Sequence, residues 1–295
     1  MLSVSIIGGY LGAGKTTLVN TLLRNANGTR IAVLVNEFGA LPIDEDLIEA
    51  QDDALISIAG GCVCCSYGND LVQALLDILK WDHAPDHLVI ECSGVALPAA
   101  IAGSVSLIDG FQVDGVVIVA DAETIKAQAE DTYVGDTIER QLQDADIILL
   151  NKADLVPQAH LDDVKAWLGK MSPSASGVAT SHAHVPNSVL MQSFDHRPED
   201  FSGADLSHAP AFASRAIPFH APCDADAVAQ MLADPQNGLV RAKGFVPTAG
   251  GLRAIQTVGG RWAVTDAPAD ARPGLVIIAQ AGVGDLDRVA QLLAV

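Results

Sequence analysis

The residues with the clearest chemical signature lie near the amino terminus, in the stretch GYLGAGKT at positions 9–16. This stretch fits the pattern G-x-x-x-x-G-K-S/T, in which backbone N–H groups surround an anion, a lysine reaches the outer phosphates and a hydroxyl binds Mg2+. An apolar run from Leu2 to Ile7 precedes it, and helix-forming residues follow from Thr17 to Leu23. We therefore expect a nucleotide-phosphate loop between a strand and a helix, with contacts from Gly12, Ala13, Gly14, Lys15, Thr16 and Thr17.

A second motif, NKAD at positions 151–154, follows the apolar run Ile147 to Leu150. It matches the base-reading N-K-x-D element of GTPases. A carboxylate at Asp154 can accept two hydrogen bonds from the N1–H and the exocyclic amino group of guanine, and adenine does not present these two donors together. We therefore expect GTP or GDP as the ligand, bound at its base by Asn151, Lys152 and Asp154.

Acidic residues at the ends of two further apolar runs are candidates for the Mg2+ shell. Glu91 follows the run His87 to Ile90, where phosphate-loop proteins carry a metal-associated carboxylate, so we expect Thr16 and Glu91 to hold Mg2+. Asp121 ends the next strand and is a weaker rival. We expect Lys15 and Glu91 to be the catalytic residues. Because the sequence shows neither a water-positioning glutamine motif nor an arginine finger, slow intrinsic GTP hydrolysis is predicted.

Three of the five cysteines, Cys62, Cys64 and Cys65, fall within four residues. A helix is expected to begin just after them, near Ser66, and a helix N-terminus favours thiolates, the form in which soft sulfur ligands bind Zn2+ or a similar ion. A tetrahedral site needs a fourth ligand, which Glu37, a histidine, water or a second chain could supply. Because Cys62 and Cys65 also fit C-x-x-C, a thiol redox pair is the alternative.

Composition excludes several classes of partner. The chain has 295 residues, with 17 basic and 36 acidic side chains and a net charge of −19, which would repel a nucleic-acid backbone. Its apolar runs are shorter than the roughly 20 residues that a membrane-spanning helix requires. The apolar amino terminus lacks the basic segment of a secretion signal. We therefore expect a cytoplasmic protein with neither a nucleic-acid nor a membrane partner.

The elements that must position these motifs form an alternating pattern. Fully apolar runs separated by helix-like stretches, such as Leu71 to Leu79 and Thr137 to Leu142, predict a mainly parallel sheet covered on both faces, with ligands at the carboxyl ends of its strands. After a polar connector the pattern changes to strands in succession, which predicts an α+β arrangement. We predict an α/β P-loop GTPase domain over residues 1–190, a linker over 191–210 and a smaller α+β C-terminal domain over 211–295.

The motifs GYLGAGKTT, NEFG, GCVCC, ECSG and NKAD, in this order, closely resemble the CobW family of GTPases, relatives of the nickel-insertion GTPases HypB and UreG. They extend from Gly9 to Asp154, and the later RAKG at 241–244 resembles that family's C-terminal domain. The resemblance implies a GTP-dependent metallochaperone that binds Zn2+ or Co2+ at the CVCC segment. It further implies that GTP hydrolysis drives transfer of the ion to a client metalloprotein.

Two other functions stay open at this stage. One is a GTPase that assists a metallocofactor pathway, such as cobalamin synthesis, without carrying metal; the other is a thiol redox sensor with a nucleotide latch. The C-terminal domain holds no nucleotide motif, so we expect it to contact the client and expect its deletion to spare GTP binding. The sequence leaves the oligomeric state open, with a homodimer among the options. NEFG and GCVCC follow neighbouring strands, which predicts coupling between nucleotide and metal binding.

Overall fold

A computed structural model describes residues 1–26, 28–35, 55–57, 69–191, 212–219, 221–269 and 271–293. Glu37, Cys62, Cys64 and Cys65 lie outside the described residues, so the predicted metal site stays a prediction. Residues 192–211, which include nearly all of the predicted linker, also lie outside them. Within the described part of the chain, none of the helices combines the length and the apolar character that a bilayer crossing requires.

The first part of the chain alternates strands with helices. Its elements are β1 (Leu2–Gly8), α1 (Lys15–Arg24), β2 (Ile31–Val35), β3 (Leu55–Ser57), α2 (Asn69–Ile78), β4 (His87–Glu91), α3 (Pro98–Ser106), β5 (Phe111–Asp121), α4 (Ile125–Ala129), α5 (Gly135–Gln143), β6 (Ile147–Asn151), α6 (Gln158–Met171), β7 (Ser176–Ala179) and α7 (Asn187–Leu190). The second part is dominated by strands: β8 (Phe212–Ile217), α8 (Ala225–Leu232), β9 (Leu239–Thr248), β10 (Gly251–Val258), β11 (Arg261–Asp266), β12 (Gly274–Gln280) and α9 (Leu286–Leu293).

The first sheet has the order β3-β2-β4-β1-β5-β6-β7, and every neighbouring pair is parallel. This confirms the predicted parallel sheet. Strands β2, β4 and β6 are buried at every residue, because elements cover both faces. The carboxyl ends of the central strands meet at one edge, where Ile7 lies opposite Glu91 and Asp121 opposite Asn151. The predicted nucleotide motifs therefore leave the sheet side by side.

The two faces of the first sheet are covered differently. Helices α2, α3, α5 and α6 cover one face through apolar side chains that include Leu75, Ile101, Leu142 and Val164. The other face is covered by α1, by the short α7 and by the second sheet. The apolar cluster on this face contains side chains from α1, from α7 and from the second sheet, namely Leu18, Val189, Val240, Val258 and Ile278. The second sheet is therefore a layer of the first domain's core.

The second sheet is antiparallel, with the order β11-β10-β9-β12-β8. Helices α8 and α9 pack on the face turned away from the first sheet, in a core that contains Leu232, Ile255, Ile277 and Val289. Strands in succession with helices on one face are the predicted α+β arrangement, which is confirmed. Deletion of this part would expose the apolar face of the parallel sheet. The packing therefore argues against the expectation that deletion spares GTP binding.

Polar contacts also join the two sheets. The Gln112 amide donates to the Gln256 side-chain oxygen over 2.8 Å, and Arg261 forms an ion pair with Asp146. The turn between β10 and β11 approaches the parallel sheet so closely that a Cβ atom on Gly259, at φ +52°, would lie 2.4 Å from the Asp146 carbonyl oxygen. Only glycine fits there without a backbone shift.

A buried charged cluster lies beneath the second sheet. Arg241 and Asp114 are 3% and 5% exposed; the Arg241 Nη2 atom lies 3.6 Å from Asp114 Oδ2, and Arg241 Nη1 donates to the Val189 carbonyl over 3.0 Å. His87 Nδ1 is 3.8 Å from the same Asp114 oxygen. Burial lowers the pKa of the Arg241 guanidinium, while Asp114 opposes that change. Burial also lowers the pKa of Lys243 to about 7.

Candidate functional site

The loop between β1 and α1 has the backbone shape that an anion cradle requires. Gly9, Gly12 and Gly14 have φ values of +129°, +75° and +109°, which other residues rarely adopt. A Cβ atom on Gly14 would lie 2.4 Å from the Asn151 amide nitrogen, and one on Gly9 would lie 2.1 Å from the Val119 carbonyl oxygen. Glycine is therefore needed at these two positions both for conformation and for close approach.

The side chains at the start of α1 meet the end of β4. The Thr16 hydroxyl donates to Glu91 Oε1 over 3.0 Å, and Glu91 is 3% exposed. The Lys15 ammonium turns back over the loop and donates to the Tyr10 carbonyl over 3.3 Å. Thr17 is exposed on the first turn of α1. An adjacent hydroxyl and carboxylate are the oxygen ligands that Mg2+ accepts, so Thr16 and Glu91 fit a magnesium site.

Asn151 connects the phosphate loop to a second loop. Its side-chain amide donates to the Ala13 carbonyl over 2.9 Å, and its oxygen accepts from the Ala183 N–H over 2.7 Å. Asn151 is 2% exposed. Because its side-chain nitrogen and its side-chain oxygen both bond backbone atoms, Asn151 fixes the positions of the two loops relative to each other.

Lys152 and Asp121 form an ion pair at the same edge. Lys152 Nζ lies 2.6 Å from Asp121 Oδ2, and Asp121 Oδ1 accepts from the Glu123 N–H over 2.9 Å. Lys152 has φ 60° and ψ 30°, a left-handed conformation that turns the chain from β6 into the Asp154 turn. Asp121 is therefore engaged with Lys152, whereas Glu91 bonds Thr16. This geometry favours Glu91 over Asp121 for the Mg2+ shell.

Asp154 lies at the rim of this edge with an exposed carboxylate. A hydrogen bond from the Ser181 side chain lowers the pKa of Asp154, with smaller contributions from its own backbone and from the charge of His182. The carboxylate is therefore ionised at neutral pH. An ionised carboxylate has the acceptor capacity that a guanine N1–H and amino group require.

The loop after β7 contributes residues that the sequence analysis missed. Ser181 bonds Asp154, and the Ala183 N–H bonds Asn151. His182 and Ala183 have φ values of +52° and +50°, which is costly for residues other than glycine and is typical of functional loops. The polar run TSHAH directly after a short strand beside β6 was the available signal. Its partners, however, are about 30 residues away in the chain.

The described residues outside this edge offer no metal centre. Within the described ranges, no group of three or more His, Cys, Asp or Glu side chains is placed to hold an ion. Cys92 is buried, and burial together with the charge of Glu91 raises the pKa of its thiol above the ordinary range. Cys92 is therefore a poor thiolate ligand.

The match to known families agrees with this geometry. Residues 3–179 match the family described as "CobW/HypB/UreG, nucleotide-binding domain", and residues 212–294 match "Cobalamin synthesis protein cobW C-terminal domain". The chain belongs to the CobW/HypB/UreG family. The resemblance seen in the sequence motifs is confirmed.

Similar proteins of this family include the zinc chaperone CobW of Sinorhizobium sp, 31% identical over 219 residues that cover 64% of this chain and 62% of the relative. The zinc chaperone YjiA of Escherichia coli strain K12 is 33% identical over 197 residues, which cover 64% of this chain and 60% of that protein. The chain thus spans less than two thirds of the length of either relative. Among solved structures, the Zn(II)-bound YjiA GTPase from E. coli is 22% identical, with a TM-score of 0.48 over 99% of this chain and 98% of that chain.

Proposed function

We propose that this CobW family member is a GTP-dependent metallochaperone that binds Zn2+ or Co2+ at residues 62–65 and transfers the ion to a client protein. The observation that carries the nucleotide half is the convergence, at one sheet edge, of the phosphate loop, the Thr16–Glu91 pair and the ionised Asp154. Support for the metal half comes from relatives named zinc chaperones and from the three clustered cysteines.

In this proposal, nucleotide phosphates lie in the loop between β1 and α1. Backbone N–H groups of the loop and of the first turn of α1 bind the phosphate oxygens, aided by the partial positive charge of the helix N-terminus. Thr16 and Glu91 hold Mg2+, which neutralises charge on the β- and γ-phosphates. The Lys15 ammonium, now on the Tyr10 carbonyl, moves to the phosphates. Lys15 and Glu91 are the proposed catalytic residues.

Guanine is bound at the other end of the same edge. Asp154 accepts hydrogen bonds from the base, and Ser181 lowers the pKa of its carboxyl group further below neutrality. Asn151 holds the phosphate loop against the base-binding loop, and Asp121 anchors Lys152. The base and the phosphates are thus recognised by parts that contact one another. Slow intrinsic hydrolysis is proposed because the sequence shows no arginine finger, which elsewhere supplies roughly 10³–10⁵ in rate.

Strand register supports coupling between the nucleotide and the metal. Val35, the last residue of β2, lies opposite Glu91 on β4 and opposite Ser57 on β3. The segment that carries Glu37 therefore leaves the sheet next to the proposed Mg2+ carboxylate, and the segment that carries the CVCC cysteines leaves it one strand farther away. A γ-phosphate that changes one of these segments changes the metal ligands. By thermodynamic linkage, metal binding then changes GTP affinity by the same factor.

The C-terminal domain is the proposed surface for the client. Its sequence contains no nucleotide-binding motif. Helices α8 and α9 lie on the face turned away from the parallel sheet and expose part of their surface. Because the opposite face belongs to the shared core, surface substitutions on α8 and α9 test this role better than deletion does.

The test is a competitive titration with Zn2+, Co2+ and Ni2+ of protein loaded with GDP or with a non-hydrolysable GTP analogue. We expect the metal affinities in the two states to differ by roughly 5- to 150-fold, the usual range of allosteric coupling. A Cys64→Ala, Cys65→Ala variant should lose metal binding and the effect of metal on nucleotide affinity while retaining GDP binding. Cys223→Ala, which changes a half-exposed cysteine in the C-terminal domain, is the matched control.

Different outcomes point to the alternatives. Identical metal affinities in the two nucleotide states would contradict coupling. Nucleotide hydrolysis without metal binding would favour a GTPase that assists a cofactor pathway. A cysteine pair that oxidises reversibly and binds no metal would favour a redox sensor.

A further inference from the structure

Gln141 on α5 is a buried polar residue whose side-chain nitrogen bonds the loop that follows β4. It is 1% exposed, and its side-chain Nε2 donates to the Gly94 carbonyl over 3.2 Å and to the Ala96 carbonyl over 2.7 Å. A primary amide has two N–H donors, so both are engaged by the loop between β4 and α3. This loop, residues 92–97, begins directly after Glu91.

Loop 92–97 also touches the end of β1 and the phosphate loop that follows it. The Cys92 N–H donates to the Ile7 carbonyl over 2.8 Å, and the Ala96 N–H closes a turn on the Ser93 carbonyl over 3.0 Å. A Cβ atom on Gly94 would lie 2.7 Å from the Leu11 side chain and 2.8 Å from the Leu11 backbone nitrogen. Loop 92–97 is therefore held between the phosphate loop on one side and Gln141 on the other.

We propose that Gln141 is a positioning residue for GTP hydrolysis. By binding two carbonyls of loop 92–97, its amide fixes the tilt of the peptide groups beside the terminal phosphate. The loop then presents one arrangement of backbone N–H groups to the γ-phosphate and the attacking water. This inference rests on the proposed GTPase function. It assigns a residue to the positioning of the attacking water, for which the sequence motifs offer no candidate.

The step itself is ordinary hydrolysis. A bond forms between the water oxygen and the γ-phosphorus, and the bond from that phosphorus to the β–γ bridging oxygen breaks. Both protons of the water end on inorganic phosphate, as H2PO4−, and GDP leaves. Because catalysis of phosphoryl transfer depends on positioning and electrostatics, a small displacement of the loop lowers the rate more than it lowers ground-state binding.

The experiment compares Gln141→Glu and Gln141→Leu with Gln143→Glu and Gln143→Leu. The Glu variant keeps the shape but places a carboxylate against two carbonyl oxygens, and the Leu variant removes both donors. Gln143 is an exposed residue on the same helix, so its variants control for changes of side-chain type. The readouts are GDP affinity, GTP-analogue affinity, kcat, KM and thermal stability.

We expect the Gln141 variants to lose roughly 10- to 100-fold in kcat with nearly unchanged KM and GDP affinity, because misplacement of catalytic groups acts mainly on the transition state. Both Gln143 variants should behave as wild type. A purely structural role would lower thermal stability while kcat per folded molecule stayed at the wild-type value, and that result overturns the inference.

Gly94→Ala displaces the same loop from the opposite side and covers the case in which a Gln141 variant does not fold. It should also lower kcat, with some loss of GDP affinity because the added Cβ presses on the Leu11 backbone of the phosphate loop, whereas wild-type kcat in folded Gly94→Ala overturns the inference. If the wild-type protein hydrolyses GTP and the Gln141 variants match it, only this inference fails. If the wild-type protein does not hydrolyse GTP at all, the proposed function fails with it.

Discussion

Polar side chains gather at two places on the parallel sheet, at its carboxyl edge and beneath the second sheet. At the edge, Asp154 is exposed, and the Thr16 hydroxyl donates to Glu91. Beneath the second sheet, Arg241 and Asp114 are almost fully buried and pair with each other, and Arg241 also donates to the Val189 carbonyl. Glu91, at 3% exposure, is as buried as Arg241, so the two clusters differ in that the edge also presents an exposed carboxylate, Asp154, to which a ligand has access.

The comparison predicts opposite consequences of substitution at the two places. Changes beneath the second sheet should lower the free energy of unfolding and leave nucleotide affinity per folded molecule intact. Changes at the edge should lower nucleotide affinity and leave the free energy of unfolding nearly intact.

The largest effect is expected for Arg241→Ala. Removal of the guanidinium leaves Asp114 buried without this cation, so the free energy of unfolding should fall by about 3–5 kcal/mol. Arg253→Ala is the matched control, because Arg253 pairs with Asp266 on the exposed part of the same sheet and should cost about 1 kcal/mol or less. Urea unfolding measures both changes. Equal losses of unfolding free energy in the two variants would show that the buried Arg241–Asp114 pair stabilises the packing of the two sheets no more than an exposed pair does.

A smaller effect is expected from pH, through Lys243. Burial lowers its pKa from 10.5 to about 7, so between these values the unfolded state binds more protons than the folded state. The free energy of unfolding should therefore gain a contribution that rises from pH 7 toward pH 10 and is absent in Lys243→Met. Thermal unfolding of both proteins across this range measures the difference. Parallel pH profiles would show that Lys243 titrates normally.

The sequence predicted the carboxyl edge of the sheet better than it predicted the cluster beneath the second sheet. The edge was predicted because GYLGAGKT and NKAD are contiguous and follow apolar strands. The pairing within β5 was not predicted: this strand begins at Phe111 and contains Asp114, a charged residue whose partner Arg241 is supplied by the second sheet.

Contacts between distant residues account for what the sequence could not predict. Arg241 and Asp114, or Gln141 and Gly94, are ordinary polar residues until the fold brings them together. The loop that carries Ser181 was missed for the same reason, since its partners Asn151 and Asp154 lie at the end of β6 and in the turn that follows it. Local motifs therefore predicted which residues meet at the edge, the chemistry assigned to them stays a prediction, and the structure added the contacts that support them.

The central claim is that the carboxyl edge of the parallel sheet is a guanine-nucleotide site. Competition between GTP and ATP for the wild-type protein and for Asp154→Ala, in the presence of Mg2+, tests it most directly. The account predicts that ATP does not displace GTP from the wild type. Loss of two charge-assisted hydrogen bonds, each worth roughly 1.5–3 kcal/mol, should weaken GTP binding by Asp154→Ala at least about 100-fold, with unchanged thermal stability of the unliganded protein. Equal wild-type affinities for GTP and ATP would contradict the account.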